Sequence, residues 1–131
     1  MNRIALLAAL WGCTGMGAIA CELPGDGHRL SSRDGAVVLS FRPDPGGFAV
    51  DRQFSLIVHA CSRTPITTLS VDAHMPEHRH AMNYKASVTP TAPGVWRADG
   101  LLLHMPGKWE FIFAARIDGV TERLTHVVRV Q

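Results

Sequence analysis

Seven soft or borderline metal donors fall in two short stretches of this 131-residue chain. The first reads Asp72-Ala-His74-Met75-Pro76-Glu77-His78-Arg79-His80-Ala81-Met82-Asn83-Tyr84, the second Leu103-His104-Met105-Pro106-Gly107-Lys108-Trp109. The tripeptide His-Met-Pro occurs in both. Imidazole suits zinc, copper and nickel, whereas a thioether is soft and selects Cu(I). Zinc sites are built from Cys, His and carboxylate, and calcium or magnesium sites from clustered Asp and Glu. A mixed His/Met set therefore points to copper, with the thioethers favouring Cu(I) and the imidazoles Cu(II). Taken singly, each residue has an ordinary reading: a lone Met packs in a core, and Met105 could lie under a turn. Interleaved with Pro, Glu, Arg and Asn, the group as a whole does not read as a core.

Spacing suggests how the donors meet. In an extended chain, side chains of one parity project to one side. His78, His80 and Met82 would then line one face, successive positions roughly 6.5–7 Å apart. A second loop bearing His104 and Met105 would complete the site, with Met75 and His74 in reserve. Asp72, at the same parity as His74, is the acid expected to orient an imidazole from behind; Glu77 reads equally as a solvated acid. His28, His59 and His126 lie outside the two stretches and read as structural or solvent-facing. No Ser/His/Asp or Cys/His triad and no phosphate-binding glycine loop can be assembled, so an enzyme is not expected.

The elements that must position these donors read as strands. Ala36–Arg42, Phe54–Cys61, Thr67–Ala73, Val95–Leu103, Lys108–Asp118 and a last strand ending at Val130 alternate or concentrate apolar residues between Pro/Gly breaks. Asp118-Gly119 marks a tight hairpin. No stretch carries a sustained helical period with a cap. The expected fold is all-β, an immunoglobulin-like two-sheet sandwich of about seven strands, with a small closed barrel as the alternative. The domain spans 36–131, preceded by a segment 21–35.

Residues 1–20 read as a signal peptide: Arg3 opens it, Ile4 to Trp11 is apolar, and Ala18-Ile19-Ala20 has the small-x-small form cleaved before Cys21. The apolar run falls short of the about 20 residues a membrane span needs, so no transmembrane segment is expected in the mature chain. Periplasmic or secreted residence follows, with a lipid-anchored variant at Cys13 or Cys21 open. Of three cysteines, Cys21 and Cys61 remain after cleavage. In an oxidising compartment two cysteines pair; the competing reading makes Cys61 a thiolate ligand. The net charge is +2, too small for a field that would hold nucleic acid or an anionic membrane.

Over roughly residues 36–130 the chain resembles the YtkA-like/FixH group of small exported β-sandwich domains. Members show a Met-Pro-x-His-x-His-Gly-Met core and a Met-Pro-Gly-x-Trp turn. Met75, Pro76, His78, His80 and Met82 match the first, with Ala81 in place of the glycine; Met105, Pro106, Gly107 and Trp109 match the second. The resemblance implies copper handling near the cytoplasmic membrane, in some members linked to assembly of haem-copper oxidases. FixH proteins carry a transmembrane anchor, which this chain replaces with a cleavable signal.

The expected function is an exported copper chaperone or buffer whose partners are the copper ion and a copper-accepting envelope protein or oxidase assembly factor. The alternative is a metal-independent immunoglobulin-like interaction module of the cell envelope. A copper redox enzyme is a third class, which would need an open coordination position.

Overall fold

Alternation of apolar and polar residues sets the strands of this chain, and a computed structural model describes them over residues 21–131. The expected signal peptide, residues 1–20, and Cys13 within it lie outside the described residues. In the order of the chain the strands are β1 (His28–Ser31), β2 (Val37–Asp44), β3 (Phe54–Ser62), β4 (Thr68–Met75), β5 (His80–Ala81), β6 (Ser87–Ala92), β7 (Val95–Leu101), β8 (Gly107–Ile117) and β9 (Val120–Val130). They form two antiparallel sheets, ordered β1-β2-β3-β7-β6 and β5-β4-β8-β9. The fold is the all-β two-sheet sandwich the strand pattern predicts.

Among the described residues there are nine strands where about seven were expected. Beyond the six segments read from the sequence, the structure adds β1, β5 and β6, and all three are sheet edges. An edge strand is covered on one side only and needs no apolar alternation, and β6 tolerates Pro90 for the same reason.

The core lies between the sheets. β3 turns Phe54, Leu56, Val58 and Ala60 inward, and β8 turns Trp109, Phe111, Phe113 and Ala115 inward; all are buried. Phe41 of the first sheet meets Phe113 of the second at 4.8 Å between ring centroids and Phe111 at 5.5 Å. Such tilted aromatic pairs add about 0.5–1.5 kcal/mol each beyond the area they bury. The β8–β9 hairpin turns on Asp118 (φ 47°) and Gly119 (φ 76°). Two consecutive left-handed residues match the twist of the flanking strands, which is why Asp-Gly sits here.

Cys21 is bonded to Cys61, with the Cα atoms 5.9 Å apart. The bridge ties the start of the described chain to β3. It removes the reading of Cys61 as a thiolate ligand, and it engages the Cys21 sulfur that a lipid anchor would need. Among the described residues no helix is long and apolar enough to cross a membrane.

Candidate metal centre

Both His/Met stretches lie at one end of the sandwich, where β4 ends and β8 begins. β4 alternates buried Leu69, Val71, Ala73 and Met75 with exposed Thr68, Ser70 and Asp72. At Pro76 the chain reverses: His78 N donates to Met75 O at 3.2 Å, and Arg79 takes a positive φ of 52°. Proline favours the second position of such a turn. The extended run expected from His78 to Met82 is therefore corrected to a turn and a two-residue strand. His78 sits exposed on the turn, and His80 pairs with Met75 in β5. Met82 follows the strand, its N–H donating to Ala73 O at 3.1 Å.

The second stretch is pinned on both sides of His104. Leu103 O accepts from Asp51 N at 2.8 Å, and Met105 O accepts from the Trp109 indole Nε1 at 2.9 Å. Trp109 is fully buried, so the loop hangs from a rigid support. The His104 ring stands edge-on to Trp109 at 5.4 Å and edge-on to His80 at 5.7 Å. Its Nδ1 is buried and has no hydrogen-bond partner. A buried nitrogen without a partner costs about 1–3 kcal/mol. Met82 and Met105 are half-buried and pack against the core.

Met75 and His74 are engaged by other groups. Met75 is 1% exposed and belongs to the core cluster. His74 Nε2 lies 2.8 Å from Glu110 Oε1, its direct cross-strand neighbour in β8. Asp72, expected behind the imidazole, instead accepts from the Ala73 N–H at 2.8 Å. Glu110 is thus the acid that orients His74, and it is the residue sequence reading missed. It occupies an outward position in the Trp109–Phe111–Phe113 alternation, but only the β4–β8 register sets it opposite His74. Lys108 reaches Glu77 on the turn at 3.3 Å, an exposed pair that links the two stretches.

No three His, Cys, Asp or Glu side chains converge among the described residues. The arrangement is an imidazole pair, His80 and His104, on a segment whose neighbouring Met82 and Met105 supply the only thioethers outside the core among the described residues. A cleft of about 720 Å³ lies at the opposite end of the sandwich, lined by Cys61, Pro65, Ile66, Pro90 and Trp96 among others, and shares no residue with this pair.

The fold and the paired imidazoles define the class: a two-sheet β-sandwich carrying a His/Met cluster on its strand-end loops. No family model, curated protein or solved structure matches the chain.

Proposed function

We propose that the protein is an exported copper-binding protein, a chaperone or buffer that holds copper through His80, His104, Met82 and Met105, with His78 on the adjoining turn. The observation that carries this reading is the buried, unpartnered Nδ1 of His104 on a ring 5.7 Å from that of His80. Two imidazoles bound to one ion at about 2.0 Å have centroids about 5.5 Å apart when the ion is trigonal. Low-coordinate geometry with soft donors is the preference of Cu(I). The resemblance to the YtkA-like/FixH group supports the same cargo, and the disulfide suits an oxidising compartment. Release would proceed by ligand exchange at the exposed side of the pair, and His80 is itself exposed.

Titration of the protein with Cu(I) against a competing chelator tests the reading. Affinity tighter than micromolar is expected, falling at least tenfold in His104→Ala and in Met82→Leu. Micromolar or weaker affinity that the double replacement of His80 and Met82 leaves unchanged would refute it.

A metal-independent interaction module is the second reading. Tyr84 favours it: 62% exposed, it stands on the loop just after Met82, where an aromatic side chain would anchor a partner. Partner binding that survives complete chelation would distinguish it from the first.

A further inference from the structure

A second pair of histidines lies away from the His/Met stretches. β1 is the outer strand of one sheet and β9 the outer strand of the other, and the two come together along one side of the sandwich. His28 has the inward parity of Leu30 in β1, and His126 that of Leu124 and Val128 in β9. Their ring centroids are 5.0 Å apart at 54°. Phe41 backs both rings, stacked on His28 at 5.1 Å and edge-on to His126 at 5.6 Å, and Phe48 stands 6.0 Å from His28. Among the described residues neither imidazole makes a hydrogen bond, and only His104 Nδ1 is both buried and unpartnered. The nitrogens of His28 and His126 therefore reach solvent from an aromatic-walled seam.

We propose that His28 and His126 form a second cation site, taking a borderline divalent ion of the zinc class and clamping β1 to β9. Two imidazoles on one tetrahedral ion, with metal–nitrogen distances of about 2.0–2.1 Å, have centroids about 5 Å apart, as these do. The described methionines, Met75, Met82 and Met105, all belong to the His/Met stretches, so among the described residues the pair lacks the soft donors of that cluster. Burial, and secondarily the charge of His28, holds the pKa of His126 below the ordinary histidine range. The neutral imidazole is the form that binds metal. No third His, Cys, Asp or Glu joins the pair among the described residues, so water fills the remaining positions. An ion held by both rings exists only while the two sheet edges are together, and it therefore stabilises the folded sandwich.

The experiment is Zn(II) titration of the full chain in a background with His80 and His104 replaced by Ala, followed by thermal melting. Zn(II) is expected to raise the melting temperature, and His126→Phe or His28→Phe to weaken Zn(II) binding at least tenfold. In the otherwise native protein, neither change should alter the Cu(I) titration. Zn(II) affinity unchanged by both replacements overturns the site. NMR of the unmutated protein gives a readout that does not depend on any variant folding. Zn(II) should shift the ring resonances of His28 and His126 together, and a shift of His80 and His104 alone, or of none, overturns the proposal. A failed Cu(I) titration would leave this result untouched, because the two sites share no residue.

Discussion

Gly107 lies against the methyl of Met75: a Cβ built on Gly107 would come within 2.6 Å of Met75 Cε. Gly107 also has a φ of 134°, a conformation almost confined to glycine. The contact joins the two His-Met-Pro stretches through the core rather than through their ligands. Gly107→Ala should lower stability by about 1–3 kcal/mol, chiefly through the backbone, since the Met75 methyl can move. Urea denaturation checks it, and a midpoint equal to that of the parent would show that the glycine is not required. Met75→Leu should cost less than about 1.5 kcal/mol and leave copper affinity intact, as befits a packing residue.

His104→Phe should separate stability from binding. A phenyl ring keeps the contacts with Trp109 and removes the unpartnered Nδ1. The metal-free protein should be as stable as the parent, or more stable by about 1 kcal/mol, while Cu(I) affinity falls at least tenfold. Chelator-competition titration and urea melts on the same sample give both numbers. A variant that loses stability yet binds copper normally would assign His104 to the core.

Removing the bridge should act on the whole fold and spare the His/Met cluster. Cys21 and Cys61 are 40 residues apart in sequence, and closing a loop of that size restricts the unfolded chain by about 4 kcal/mol. Cys21→Ser should lower stability by a cost of that order, read by denaturation with and without reductant. Its Cu(I) titration should overlay that of the parent, because the bridge lies at the opposite end of the sandwich. A shifted titration curve would show coupling that the distance between the two ends does not suggest.

Stability should fall in mild acid through His126. Its folded-state pKa is lowered by burial first and by the His28 charge second, so the unfolded chain binds the proton more readily. The contribution is fully present above the unfolded value of about 6.5. It declines as pH drops from there through the folded-state pKa, and then levels off. His126→Phe should flatten the profile between pH 7.5 and 5. Urea melts across that range, with a chelator present, make the comparison, and an equally steep slope in the variant would assign the acid sensitivity elsewhere.

The legible parts of the fold were those with two-sided packing. β3 and β8 each alternate four inward apolar residues, a pattern with one reading, and Asp118-Gly119 announces its own hairpin. β1, β5 and β6 were missed because an edge needs neither alternation nor β-branched residues. Within the candidate site, the sequence supplied the residue types and their density. It did not supply the turn at Pro76–Arg79, where a proline and one left-handed residue break the extended run before His80.

What the chain determined by itself was therefore composition in place: which segments are strands and where imidazole and thioether are concentrated. Tertiary structure decided which of those groups meet. Cross-strand register is a property of two strands, not of one, and it set Glu110 opposite His74 and left Asp72 turned to the Ala73 N–H. Packing between the sheets drew Met75 into the core and His104 beside His80. The same packing brought His28 and His126, 98 positions apart in the sequence, to 5.0 Å at the seam. Local spacing carries no information on such contacts, because they arise from burying two apolar faces against each other.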